Sequence, residues 1–284
     1  MEILFTIFYA IFIGFYNIFK KLAVRKTNES VVLVLFTSIS FLLSLLWIPF
    51  GLKISLKFIL IFAVKGFLLA TSWFVLLKIL KTADLSVVTV TRVLSSVLTF
   101  ILGVSVFSES ANAWQIVGML IVVLSVAGIN LCNKNSQGKI TTLNFVLLIL
   151  TSLIITTSNV IDKYTTTYLT QYQVQFWCLF FVCLFSWMYF LIDCVKNKEF
   201  LIKKTDLKNF WIYLIGIFLF VGDFWLFQAY KVPGSQMITI SVISKLSAVI
   251  TVLAGIFIFR EKKIWQKLGL TLLAICGVIM ISIL

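Results

Sequence analysis

Apolar windows about twenty residues long recur from one end of the chain to the other, and this recurrence limits the fold more than any motif does. A bilayer core about 30 Å thick takes roughly 20 apolar residues per helical crossing. Windows of that kind are read at 3–19, 31–50, 58–77, 85–107, 113–131, 143–161, 172–192, 210–229, 236–259 and 265–284. Barrel strands would need short alternating segments instead, and runs such as 116–126 are apolar on every side. Composition agrees, because 284 residues that are 61% hydrophobic and 12% charged leave too little polar surface to cover a soluble core. The expected fold class is an all-α integral membrane protein with ten transmembrane helices.

The first window is not preceded by a basic leader, since only Met1-Glu2 comes before it, and no small-residue cleavage site precedes Lys20-Lys21. It reads as a retained helix. The most polar stretches, 132–142 and 193–208, are too short to hold a separate soluble domain.

A formal charge of +14 raises the question of nucleic acid, and the placement of the cations answers it. The odd-numbered loops collect Lys20, Lys21, Arg25, Lys26, Lys78, Lys81, Lys134, Lys139, Lys196, Lys198, Lys203, Lys204, Lys208, Arg260, Lys262, Lys263 and Lys267. The even-numbered loops hold Lys53, Lys57, Lys163 and Lys231. That imbalance is the positive-inside pattern of a membrane protein and calls for no nucleic acid partner. It predicts a cell (plasma or inner) membrane protein whose odd-numbered loops face the cytoplasm and whose termini both face out.

Five cysteines, Cys132, Cys178, Cys183, Cys194 and Cys276, form no C-x-x-C pair, and there is no histidine. No metal site, phosphate-cradling glycine loop or Ser/His/Asp set can be assembled, so no cofactor and no enzymatic activity are expected. The cysteines read as small apolar residues within helices.

Internal repetition is the most informative feature. Residues 80–109 laid over 232–261 at constant offset pair Val90 with Val242, Leu94 with Leu246, Ser95 with Ser247, Val97 with Val249, Thr99 with Thr251, Gly103 with Gly255, Phe107 with Phe259 and Glu109 with Glu261. A W-Q-x-x-G follows in each copy, at Trp114–Gly118 and Trp265–Gly269, and Asn17 to Lys21 matches Asn159 to Lys163. The expected organisation is a first five-helix repeat over 1–132, a linker over 133–142 and a second repeat over 143–284. Five is odd, so the second copy enters the membrane from the opposite face. Inverted repeats of this kind characterise secondary transporters, with the site near the midplane between the halves.

Five plus five helices, a short linker, and a helix closing on F-x-E before W-Q-x-x-G in each half resemble the drug/metabolite transporter superfamily, EamA type. The resemblance implies that spans 1 to 4 and 6 to 9 surround a central cavity while spans 5 and 10 pack peripherally. It also implies cargo such as amino acids, nucleotide sugars, sugar phosphates, choline or drugs. Ten-helix members are expected to keep both termini in the cytoplasm, and the loop charges here point the other way.

Two cations lie deep in apolar runs. Arg92 is about 10 Å into the fourth span and Lys245 about 14 Å into the ninth, beyond easy reach of water. Thr89, Arg92, Ser95, Ser96 and Thr99 form one helical stripe, and Ser241, Ser244, Lys245, Ala248 and Thr251 form another. Two like charges facing one cavity call for an anion between them. Asp223, deep in the eighth span, offers either a fixed partner for one of them or a proton carrier. Lys65 reads as a snorkelling side chain, and Asp162 and Lys163 as interfacial. Asn17 and Asn159 could line the cavity or join helices, and Trp73 and Trp225, aligned across the repeat, could stack on cargo or simply pack. Glu109 and Glu261 read as loop-setting residues.

These residues point to a secondary active transporter that works by alternating access on a small polar metabolite, an amino acid or another carboxylate- or phosphate-bearing solute. Arg92, Lys245, Asp223, Ser95, Ser96, Ser244, Thr251, Trp73, Trp225, Asn17 and Asn159 are its expected substrate-binding residues. Partners are the cargo, a coupling proton or counter-substrate, and the bilayer, with the chain a monomer or homodimer. The alternatives left open are a multidrug or quaternary-amine transporter of the same superfamily and a lipid-handling membrane protein.

Overall fold

In a computed structural model, residues 1–107, 113–132, 141–235, 237–259 and 264–283 are described. The linker 133–140, Glu109 and Glu261 lie outside that range. Regular structure among the described residues is helical. It comprises α1 (Glu2–Val24), α2 (Glu29–Ser44) continuing as a 3-10 turn (Leu45–Phe50), α3 (Leu56–Thr82), α4 (Leu85–Phe107), α5 (Ala113–Cys132) and α6 (Thr142–Tyr168). Then come α7 (Gln171–Asn197), α8 (Lys204–Leu207), α9 (Phe210–Lys231), α10 (Met237–Ser244), α11 (Leu246–Phe257) and α12 (Ile264–Ile283). Six stretches are long and apolar enough to cross a bilayer, namely α1, α2 with its 3-10 extension, α3, α6, α7 and α9. Shorter apolar stretches lie in α4, α5, α11 and α12. The chain is a multi-pass α-helical membrane protein.

Local chemistry sets several helix starts. The Asn28 side chain accepts from the Ser30 N–H ahead of α2, and Thr141 accepts from the Asn144 N–H ahead of α6. Thr170 and Gln173 close a reciprocal capping box on α7. Pro49 sits in the 3-10 turn that ends the second crossing, where its missing N–H costs least.

Helices α1, α3 and α6 run a turn or so past the apolar windows 3–19, 58–77 and 143–161. The polar residues that ended those windows have partners inside the protein. Lys21 donates to the Leu80 and Ala83 carbonyls at 2.5 and 2.6 Å, capping the end of α3. Lys163 donates to the Ser235 carbonyl at 2.7 Å and its hydroxyl at 2.6 Å, past the end of α9. Lys20, Lys21 and Lys267 are therefore not loop cations as their sequence positions suggested: all three are buried, and Lys267 pairs with Asp84 at 2.7 Å.

Lys65 also departs from expectation. Rather than reaching an interface it is 1% exposed, in an ion pair with buried Asp162 that ties α3 to α6. A lysine this deep keeps its charge only beside a counter-charge, and α6, extended past residue 161, carries one to it.

The ninth window, 236–259, is one continuous helix in expectation and two helices in the structure, broken at Lys245. Ser244, Ser247 and Thr251 donate their hydroxyl hydrogens to the carbonyls of Ser241, Ser244 and Ser247. The Ala248 N–H bonds the Lys245 carbonyl only three residues back. Hydroxyls that compete for backbone carbonyls in this way bend or interrupt a helix.

Packing runs across the chain's halves. α1 lies against α9 and α10–α11, and α6 against α3 and α4; α2 packs on α7 and α9, and α7 on α3. α5 and α12 pair with each other and meet the rest mainly through α4 and α10–α11. The main apolar core, built around Phe36, Phe62, Leu76, Leu179 and Ile215, lies among α2, α3, α7 and α9. Glycine permits two of these approaches: a Cβ on Gly66 would stand 2.5 Å from Phe181, and one on Gly216 would stand 2.7 Å from Ile39.

Four variants test this packing, each read as a melting temperature of purified protein in detergent. Gly66→Ala should destabilise by about 1–3 kcal/mol through overpacking. Gly269→Ala, where nothing lies within 4 Å, should be neutral or mildly stabilising. Asp162→Asn should cost about 3–5 kcal/mol by stranding the Lys65 charge, and Lys65→Met combined with Asp162→Leu should recover most of the loss.

Candidate functional site

Along α1, Tyr9, Ile13 and Asn17 follow one another at one-turn spacing, so all three face the same way. They turn inward onto two adjoining cavities of about 90 Å³ each, enough for several waters apiece. The cavities share a wall made by Tyr9, Ile13, Asn17, Arg92, Ile155 and Asn159, so they act as two lobes of one central site.

The first lobe is cationic and rich in hydroxyls. α4 supplies Thr89, Arg92 and Ser95, α6 supplies Ser152, and the α10–α11 break supplies Ser244, Lys245 and Ser247. Because the helix stops at Lys245, its side chain leaves the break across the lobe, and its ammonium donates to the Ser95 hydroxyl at 2.8 Å. The Ser152, Ser244 and Ser247 hydroxyl hydrogens are used on backbone carbonyls, so these oxygens present lone pairs to the lobe.

The second lobe is aromatic and carries the acids. Tyr16, Trp73 and Phe227 line it together with Asp223 and the Lys65–Asp162 pair. Among the described residues Asp223 makes no ion pair within 4.0 Å, neither with Arg92 nor with Lys245. The fixed bridge that would have cancelled one of the deep cations is therefore not formed.

Arg92 faces both lobes, and its Nε is buried with no hydrogen-bond partner among the described residues. A guanidinium holds five donors, and inside a bilayer each missing acceptor is costly. With Lys65 and Asp162 neutralising each other, Arg92 and Lys245 outnumber Asp223, and the ionised cavity keeps one net positive charge. Asn17 and Asn159 both belong to the shared wall, their amides unbonded to any side chain among the described residues.

Eight of the expected binding residues thus line one site: Arg92, Lys245, Asp223, Ser95, Ser244, Trp73, Asn17 and Asn159. Three do not enter this list. Thr251 is fully buried and bonds the Ser247 carbonyl; Trp225 packs against Phe5 and Phe8, with ring centroids 5.5 and 5.0 Å away; the Ser96 side chain lies outside the described residues. Sequence reasoning missed Tyr9, Ile13 and Ile155, although stepping back from Asn17 by fours would have found the first two. It also missed Lys20, fully buried behind the second lobe. Its ammonium lies 3.9 Å from the Tyr16 ring centroid, 5.0 Å from Trp73 and 5.4 Å from Phe36, with no hydrogen-bond acceptor among the described residues.

Comparison with known proteins bears on this cavity. A crystal structure described only as "Crystal structure of protein" superposes with a TM-score of 0.68 over 97% of this chain and 96% of that one. At 11% identity the likeness concerns the fold alone. No curated protein matches the sequence. The family model described as the EamA-like transporter family matches residues 143–283, the segment that runs from α6 through the broken helix to α12. Over that segment the chain resembles the EamA-like transporter family, a match consistent with the drug/metabolite transporter superfamily and with a membrane transporter.

Proposed function

We propose that the protein is a secondary active transporter of a small polar metabolite bearing a carboxylate or phosphate, an amino acid being the leading case. The observation that carries this reading is Arg92, a guanidinium lining both lobes with an unpartnered buried Nε, while Lys245 approaches from the other half of the chain. An anionic group between them would supply the missing acceptors and counter-charge. Ser95, Asn17 and Asn159 would add hydrogen bonds to the remainder of the cargo.

Alternating access by two inverted five-helix repeats, 1–132 and 143–284, fits the packing. Exchanging the repeats turns the α1–α9 contact into α6–α3, α1–α11 into α6–α4, and α2–α9 into α7–α3, each of which occurs. The register that pairs Asn17 with Asn159 also pairs Lys21 with Lys163, and the one that pairs Val90 with Val242 pairs Ala83 with Ser235. Lys21 on the Ala83 carbonyl and Lys163 on the Ser235 carbonyl are thus the same contact made twice. Ile13 and Ile155, Asn17 and Asn159, Arg92 and Ser244, and Ser95 and Ser247 line the cavity as repeat-related pairs.

Ten crossings would follow if α10 and α11 make one broken crossing, and a helix interrupted at the site is a recurring transporter device. Hydrogen bonds from Asn209 to Ala23 and Thr27 join loops of one face, and bonds from Lys57 to Tyr164 and from Gln173 to the Lys53 carbonyl join loops of the other. The first face holds the lysine-rich loops, so we place it in the cytoplasm of a cell membrane, with both termini outside. A periplasmic-type phosphatase reporter fused to the C-terminus should be active, and a fluorescent protein that matures only in the cytoplasm should stay dark; the opposite pattern reverses the orientation.

A second reading, transport of a quaternary or lipophilic amine, is favoured by one observation: Asp223, with no ion pair among the described residues, lines one lobe with Tyr16, Trp73 and Phe227. Variants separate the two. Arg92→Gln and Lys245→Met should each lower uptake of an anionic cargo at least about tenfold, the loss of one charge-assisted hydrogen bond. Melting temperatures should stay within a few degrees, since neither side chain is part of an ion pair among the described residues. If uptake survives both changes and disappears in Asp223→Asn, the cargo is a cation. If every variant unfolds, the stripe residues serve helix packing and the transport reading fails.

A further inference from the structure

The central site holds uncompensated charges of both signs, and they are divided between its lobes. Lys245 lines the first lobe and Asp223 the second, while Arg92 stands where the two adjoin. All three residues are half-buried, each with surface left to meet a ligand. Lys65 and Asp162, which neutralise each other, are instead sealed at 1% and 4% exposure. Resting on the transport function proposed above, we infer that the cargo is an ω-amino acid spanning both lobes, its carboxylate held by Arg92 and Lys245 and its terminal amine by Asp223.

Each end of that cargo is defined by what its lobe lacks. Among the described residues the Lys245 ammonium donates only to the Ser95 hydroxyl, at 2.8 Å, so further N–H donors remain for a carboxylate beside the Arg92 guanidinium. Asp223 makes no ion pair among the described residues, and an ionised carboxylate only accepts. Tyr16 and Trp73 line the same lobe, but their rings already hold the Lys20 ammonium, 3.9 and 5.0 Å from their centroids. A cation entering the second lobe is therefore answered by Asp223, which favours an amine with N–H donors over a quaternary one.

The separation of the lobes sets the length of the cargo. Asp223 comes from α9 and Lys245 from the α10–α11 break, and α1 packs against both while lining both lobes. Packed helices stand about 8–10 Å apart axis to axis, so side chains reaching inward from two of them leave a gap of several bonds. An α-amino acid carries both charges on a single carbon and cannot engage Lys245 and Asp223 together. A chain of methylenes can, and Ile13 and Ile155 in the shared wall give that chain apolar contact between its charged ends.

The test is isothermal titration calorimetry on the full-length protein in detergent with glycine, β-alanine, γ-aminobutyrate and δ-aminovalerate, and with valerate and butylamine, which each lack one end of the longest. Affinity should rise along the series as the chain comes to match the span, and δ-aminovalerate should bind at least about tenfold more tightly than glycine, valerate or butylamine. Its N-trimethyl derivative should bind more weakly. Asp223→Asn should erase the preference for δ-aminovalerate over valerate, and Arg92→Gln with Lys245→Met should erase the preference over butylamine. Should a variant unfold, the chain-length series on the unaltered protein decides alone. Glycine or valerate binding as tightly as δ-aminovalerate overturns the spanning cargo while leaving the transport of a carboxylate in place. Failure of every carboxylate to bind overturns both.

Discussion

A positive charge inside a bilayer has to be answered within the protein, because the surrounding hydrocarbon offers neither counter-ion nor acceptor. The arrangement of this molecule is largely a set of answers to that demand. Lys21 and Lys163 each satisfy the end of a helix in the opposite position of their half, Lys65 meets Asp162, and Lys267 meets Asp84. Each pairing also joins two elements far apart in the chain, so neutralising a charge and holding the bundle together are one act.

Against that pattern the exceptions acquire meaning. Lys20 is answered by the faces of three aromatic rings, an electrostatic solution that uses no acceptor atom. Lys245 reaches a neutral serine hydroxyl. Arg92 has an Nε with no partner among the described residues and lines both lobes of the cavity. These are the two cations that the proposed anionic cargo would answer.

The broken helix serves the same end. Lys245 stands between α10 and α11 with its ammonium on the Ser95 hydroxyl across the lobe. The serines and threonine around the break take backbone carbonyls released by the interruption, so the irregular stretch is tolerated where it lines a cavity.

Much of this was legible in the sequence. Hydropathy and helical spacing determined the class of fold, the approximate extent of most apolar helices, and the helical faces on which Arg92, Ser95, Ser244 and Lys245 lie. Asn17 and Asn159 were visible because they recur in register. The tertiary structure alone decided which buried charges are neutralised, because the partners are remote: 59 residues separate Lys21 from Leu80, 97 separate Lys65 from Asp162, and 150 separate Lys245 from Ser95. It likewise decided that Trp225 packs on α1 while Trp73 lines the cavity, although the two align, since the direction a helix faces depends on its neighbours rather than its own pattern. Periodicity assigns a residue to one side of a helix, and only packing determines what stands opposite.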